Sequence, residues 1–342
     1  MQWDVGIDLG TDKVRMAELK QGPMLESAAV LAFRGGQDVP VCCGNTAERL
    51  YGRTCEGMSI QRPLKDGLLE NNFTADRMFH WLFRRLDSVN RKRRFNVLVT
   101  CSPFARPVQM DVLMSAALDA GATTVALVRS DAATAVGAGL ELTAPEAKLL
   151  VDVGAGKISA TLFTLGRVAA YEYLPYGMDR IDQRIQRILR TEFGYRIGLQ
   201  SSREIKHTLG SAQPASAPAD IIMHVAGFSI PDRLPKTFDI ETKPVLDACE
   251  DVVRELVGLC ASVADNAPEE LAADLNDAGI VLAGGGAEMS GLDKRVGDAL
   301  SLPCRIADVP GTCGIRGLYQ IMRHPENYPA VFLDQKSVSG WH

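Results

Sequence analysis

Two stretches of this chain repeat one pattern, and few folds accommodate the repeat. Residues 5–19 read VGIDLGTDKVRMAEL and residues 149–163 read LLVDVGAGKISATLF. An apolar strand, an aspartate, Gly-x-x-Lys and a second apolar strand thus recur at an offset of 144, from Asp8 to Asp152. Apolar runs on both sides of a glycine turn read as buried β-hairpins, and the glycines let backbone N–H groups face an anion. Two such hairpins facing each other across a cleft would hold a polyphosphate between them. Gly10, Thr11, Asp12 and Lys13 would form one turn, and Gly154, Ala155, Gly156 and Lys157 the other. Asp8 and Asp152 would organise a hydrated Mg²⁺ through its water ligands. A single copy would read as an ordinary Asp-Gly turn; the pair carries the inference.

A chain of 342 residues exceeds the size at which one core stops growing, so two domains are expected. The net charge of −5 provides no global positive field, which argues against a nucleic-acid partner. The sequence enters a strand almost at once after Met1, and no apolar run approaches the ~20 residues that span a bilayer, so a cytoplasmic protein without a signal peptide is expected. The eight cysteines show no Cys-x-x-Cys spacing and read as reduced thiols, and the five histidines form no local ligand pair.

Between the motifs, strands alternate with amphipathic segments, which predicts α/β layers. A helix is expected from a Thr74 N-cap, with Met78, Phe79, Leu82, Phe83 and Leu86 on its apolar face. Others are expected over 107–120, ended by Gly121; from an Asp131 N-cap; over 179–193, with Phe193 on its apolar side; and from Pro244 at the first helical position. Strands are expected at 95–101 and 123–128. The Pro- and Ala-rich stretch 211–220 reads as a loop at the tip of a subdomain. Residues 279–292, GIVLAGGGAEMSGL, read as a buried strand, a triple-glycine turn at Gly284, Gly285 and Gly286, and a helix start near Ser290. Such a turn lets a purine ring approach the backbone.

These motifs, with GRT at 52–54, RPLKDG at 62–67, GAGL at 137–140, SREIKHTLGSA at 202–212, LPKT at 234–237 and PEELAADLNDAGIVLAGGGAEMSGL at 268–292, resemble the MreB family of bacterial actin homologues nearly end to end. The resemblance implies an α/β actin-like ATPase fold, with two duplicated domains flanking a nucleotide cleft and a smaller subdomain inserted in each. The cores would be 1–33, 66–147 and 312–342 on one side and 148–181 and 244–311 on the other, with small lobes at 34–65 and 182–243. It implies ATP or ADP with Mg²⁺ in the cleft, Glu204 and Lys206 beside the adenine and ribose, and assembly into filaments that organise cell shape and cell-wall synthesis. Other MreB-like proteins and cell-wall elongation membrane proteins are implied as partners. The basic run Arg91, Lys92, Arg93 and Arg94 with Phe95 would meet an anionic membrane at the inner face of the cell membrane.

One departure bears on catalysis. MreB-like sequences carry Glu-Glu-Pro before the Ala-rich helix, where this chain reads Arg129-Ser130-Asp131. The expectation is therefore a divergent member that binds ATP and hydrolyses it slowly or not at all, with Asp131 as either a displaced water-positioning group or a helix cap. The alternatives are a hydrolysis-deficient scaffold or co-assembling modulator, and a small-molecule kinase of the same superfamily, for which no substrate-side aspartate is apparent.

Overall fold

The repeat is realised as two sheets of the same topology. The computed structural model describes residues 2–53, 56–86, 94–217 and 221–337. In the first half, β1 (Val5–Leu9), β2 (Lys13–Glu18), β3 (Gly22–Ala28), β4 (Asn96–Cys101) and β5 (Thr124–Arg129) are ordered β3-β2-β1-β4-β5. In the second, β6 (Lys148–Val153), β7 (Ile158–Thr164), β8 (Arg167–Leu174), β9 (Ile280–Ala283) and β10 (Cys304–Ile306) are ordered β8-β7-β6-β9-β10. The senses match as well: three antiparallel strands of a meander, then two parallel ones. One further strand, β11 (Phe332–Ser337), closes the β5 edge antiparallel.

Strand alternation assigns each face to a different core. Val97 and Val99 face an outer core with Met78, Phe79, Leu113 and Met114, drawn from α1 (Asn72–Phe83) and α2 (Pro107–Asp119). Leu98 points the other way, into a central core shared with Leu150, Val281 and Ala283 of the second sheet. Between the two sheets lie α3 (Ser130–Gly137) and α9 (Cys313–Arg323), contributing Ala132, Ala133, Val136, Ile315, Leu318 and Ile321. The outer face of the second sheet carries Leu149, Val151, Ile280 and Leu282 against α4 (Asp179–Thr191), α6 (Thr242–Asp265), α7 (Glu269–Ala278) and α8 (Leu292–Leu300). Glycine permits the central helices to touch backbone to backbone: a Cβ on Gly137 would collide with the carbonyl of Cys313, and one on Gly317 with that of Ala133.

Each half carries a small sheet of its own. In the first, Leu31–Arg34, Cys42–Cys43 and Met58–Gln61 pair around the short helix Asn45–Glu48. In the second, Tyr195–Arg196, Met223–Ser229 and Leu234–Ile240 form a sheet, and α5 (Leu199–Leu209) belongs to the same lobe.

Several boundaries differ from the sequence expectation, each for a local reason. Asn71, not Thr74, caps α1, its side chain accepting the Thr74 N–H at 3.1 Å. Helix α6 begins at Thr242, which puts Pro244 at the third position; the first four N–H groups of a helix have no intrahelical partner, so proline costs no hydrogen bond there. Phe193 lies beyond the end of α4 and is exposed. The loop from 211 is no free tip, because Ala212 N donates to Ser290 O at 2.9 Å and Ser290 Oγ donates to Ser216 O at 2.9 Å. The helix expected near Ser290 starts at Leu292, after a short 3-10 turn over Gly285–Glu288.

Candidate functional site

The two hairpin turns are built alike and meet. Gly10 N donates to Lys13 O at 2.9 Å, and Gly154 N donates to Lys157 O at 2.8 Å. The tips are in contact, for a Cβ on Gly156 would lie 2.6 Å from Thr11 Oγ1. Between the sheets they open onto a cavity of about 1130 Å³, of the size that takes a nucleotide-sized ligand. Asp8, Gly10, Thr11, Asp12, Lys13, Asp152, Gly154, Ala155, Gly156, Lys157, Glu204, Lys206, Gly284, Gly285 and Gly286 all line it.

The three glycines divide their labour. A Cβ on Gly284 would stand 2.6 Å from Asp152 Oδ1, and one on Gly286 would stand 2.6 Å from Met178 Cγ, so both are needed for the turn to sit against the second hairpin. Gly285 has open space beside it, and it alone offers bare backbone to a ligand. Gly314, at the start of α9, is held to the smallest side chain by Asp8, whose Oδ2 would be 2.6 Å from an added Cβ.

Asp8 and Asp152 both face the cleft. Thr100 Oγ1 donates to Asp8 Oδ1 at 2.9 Å, and Arg15 Nη1 is 3.9 Å from Asp8 Oδ2. Burial pushes the Asp8 carboxyl above its ordinary range, opposed by Arg15 and by the Thr100 hydrogen bond. Burial also pushes Asp152 up to about 6, with Lys157 opposing the rise and the neighbouring Asp8 and Asp131 adding to it. Two half-buried carboxylates that repel each other would gain from a shared cation. Among the described residues no group of three or more His, Cys, Asp or Glu could ligate a metal directly. The donor set therefore fits a hydrated, oxygen-ligated ion of the Mg²⁺ type, held through water and completed by ligand phosphates. Lys157 is 8% exposed, with its Nζ over the Phe104 ring at 5.6 Å, so it is part of the cleft wall and no solvated turn lysine. Lys13 is half-buried in the same wall.

Asp131 has a different setting from the one its sequence suggested. Arg129 holds the N-cap position, and Asp131 lies in the first turn of α3 with only 1% exposure. Arg129 Nη2 and Nε bind its two oxygens at 2.6 and 3.1 Å, and Thr161 Oγ1 donates to it at 3.3 Å. The carboxylate is thereby committed, and Asp131 is not among the cavity's lining residues. Its neighbour Ser130 does line the cavity, and its Oγ is buried with no hydrogen-bond partner among the described residues. Lys206 donates to Asp182 Oδ2 at 2.9 Å and to Met178 O at 3.1 Å. Of the basic run, Arg91, Lys92 and Arg93 lie outside the described residues. Arg94 is exposed, but Phe95 turns inward and meets Phe83 edge-on at 5.0 Å, which removes it from any membrane-facing surface.

Arg15, Thr100 and His207 on the cleft wall and Arg62 at its mouth were not among the site residues expected from the sequence. Arg15 was recoverable, because it is the cross-strand partner of Asp8 in a hairpin whose turn length is known. Thr100 reaches Asp8 from a strand 92 residues away, and no local signal announces it.

The family model described as MreB/Mbl protein matches residues 2–329. The cell shape-determining protein MreB of Escherichia coli (strain K12) is 30% identical over 319 residues, covering 92% of this chain and 91% of that protein. MreB 5 of Spiroplasma citri bound to AMPPNP superposes with a TM-score of 0.89 at 24% identity, covering 94% of this chain and 96% of the other. A MamK double helical filament superposes with a TM-score of 0.77 at 17% identity, covering 93% and 98%. The two structural likenesses establish the actin-like fold.

Proposed function

We propose that this chain, which belongs to the MreB/Mbl family, binds ATP with Mg²⁺ in the cleft and uses that binding to control assembly. It is a bacterial actin-like cytoskeletal protein, related over its length to cell shape-determining proteins. The single observation that carries the nucleotide reading is the meeting of two matched anion turns beneath the open face of Gly285, inside one cavity. In this reading Gly10, Thr11, Gly154 and Gly156 present backbone N–H groups to the phosphates, and Lys13 and Lys157 neutralise them. Asp8 and Asp152 hold the water ligands of Mg²⁺, which when bound shields phosphate charge. Glu204 and Lys206 stand on the nucleoside side.

A ligand that contacts both halves at once favours the closed arrangement of the two, and a fixed angle between them presents one constant pair of surfaces for head-to-tail addition. Self-assembly of this kind agrees with the filament formed by MamK, a protein of the same fold. With ATP and Mg²⁺ at tens of micromolar protein, electron microscopy is expected to show filaments that are sparse with ADP. A protein that stays monomeric with ATP rejects the assembly reading.

Hydrolysis is the part of the cycle that this chain has weakened. The acid in the first turn of α3, Asp131, is locked by Arg129, and Ser130 offers a hydroxyl where a base would stand; positioned general bases contribute about 10²–10⁴-fold. Ser130→Glu is expected to raise phosphate release from assembled protein tenfold or more, while Asp131→Ala lowers stability and leaves the slow release within about twofold. Brisk release by the wild type, lost in Asp131→Ala, would reverse this assignment.

Membrane contact on the inner face of the cell membrane belongs to the same reading, through Arg91, Lys92, Arg93 and Arg94. At ~1 kcal/mol per basic residue near an anionic leaflet, four give a weak grip on a monomer that multiplies along a polymer. No helix among the described residues is long and apolar enough to cross a membrane.

A further inference from the structure

The mouth of the cleft is crossed by a charge network that joins both small lobes to the first anion turn. Asp12, at that turn, receives Arg62 Nη2 at 3.2 Å and Arg203 Nη2 at 2.7 Å on the same oxygen, Oδ1. Arg62 follows the last strand of the first small sheet and also binds Asp179 Oδ2 at 3.2 Å. Arg203 lies on α5, in the other small lobe, and its second nitrogen binds Glu48 Oε1 at 2.9 Å, back across the mouth. Gln200, one helical turn before Arg203, adds a bond to Glu48 O at 3.5 Å.

The two arginine side chains are only 15% and 13% exposed, so these pairs are shielded from the screening that makes surface ion pairs weak. Burial alone would raise the Asp12 carboxyl, but Arg203, Arg62 and Lys13 together leave it below its ordinary range. A carboxylate in a phosphate-binding turn repels its ligand, so its presence calls for a second role. Its partners supply one, since each guanidinium ties its own lobe to the first anion turn and outward movement of either lobe would separate these pairs.

We propose that Arg62 and Arg203 are positioning residues that clasp Asp12 and so hold the cleft shut, making rupture of this clasp the step that limits nucleotide release. The proposal rests on the nucleotide reading above, and it predicts the opposite of simple electrostatics. Removing the Asp12 charge from beside a polyphosphate should slow release if repulsion were its only effect. Because Asp12 anchors the clasp, its removal is expected to make release faster instead.

The test has two arms. In the first, a fluorescent adenine nucleotide is displaced by excess ATP in stopped flow, from wild type, Asp12→Ala, Arg203→Ala, Arg203→Lys and the double alanine variant. Each single alanine variant is expected to release about tenfold faster, the double no faster than the quicker single, and Arg203→Lys in between. Release slowed in Asp12→Ala, or single effects that multiply in the double variant, overturns the proposal. In the second arm, amide hydrogen exchange over residues 45–48 and 199–206 is measured without nucleotide. Exchange there is expected to quicken in Arg203→Ala and to be largely restored in Arg203→Lys, and exchange unchanged by Arg203→Ala overturns the clasp. Because this arm needs no ligand, failure of the nucleotide reading and failure of the clasp are separable.

Discussion

Asp152→Asn is expected to stabilise the nucleotide-free protein while weakening Mg²⁺-nucleotide binding by about tenfold or more. Both effects come from one fact: burial holds this carboxyl near 6 even with Lys157 beside it. A carboxyl whose folded value exceeds its unfolded value binds more protons folded than unfolded between the two. The fold is therefore favoured at low pH and loses that advantage as pH rises from about 4 through about 6. At neutral pH the cost of ionisation is on the order of 3 kcal/mol as an upper bound, from roughly a hundredfold rise in proton affinity. Asparagine has no charge to desolvate and removes that cost. Under the proposed role its neutral amide would also fail to attract a hydrated cation, so binding weakens as the apo fold gains. In calorimetry without nucleotide at pH 7.5 the variant should melt several degrees above wild type. Between pH 7 and 5 it should lack part of the wild-type gain in stability, Asp8 supplying the remainder in the same direction. A variant that melts lower than wild type at pH 7.5, and keeps the full pH slope, would mean that Asp152 is stabilised as an anion by partners within the fold.

Gly317→Ala is expected to be the most damaging single methyl in the molecule. Helices α3 and α9 fill the space between the two sheets, and α3 precedes one crossing of the chain between halves while α9 follows the other. Their contact is carbonyl against glycine on both sides, at Gly137 with Cys313 and at Gly317 with Ala133. An added Cβ meets backbone, which has no rotamer to yield, so the helices must part along a core where Leu318 and Ile321 are fully buried. Overpacking of this kind costs about 3 kcal/mol or more. Denaturant unfolding should show that loss, and Gly258→Ala, in a helix where an added Cβ meets nothing within 4 Å, serves as the control. Equal stability of the two variants would show that the central helices are not in backbone contact.

Much of the architecture was legible because its signals are local and periodic. The offset between Asp8 and Asp152 anticipates two sheets of identical strand order, and the alternation of Val97, Leu98 and Val99 between two cores is written in the run NVLVTC. The helix start at Asn71 was misplaced to Thr74 because both residues can cap, and only the tertiary path of the chain chooses between them. Asp131 shows the deeper limit. A sequence exposes its residue type and its place beside a helix start, whereas its meaning depends on Arg129 folding back onto it and on Thr161 from another strand. Arg62 and Arg203 stand in stretches, RPLKDG and SREIK, that drew attention for resemblance, yet their convergence on Asp12 joins positions 50 and 191 residues apart. Pairings of that range leave no periodic trace.

The most direct test of the whole account is isothermal titration of ATP, with Mg²⁺, into wild type, Asp8→Asn and Asp152→Asn. One adenine nucleotide is expected per wild-type chain, with binding weakened at least tenfold by either substitution, since each aspartate belongs to a different hairpin of the same grip. No heat with the wild type, or affinity untouched by the loss of either carboxylate, would contradict it.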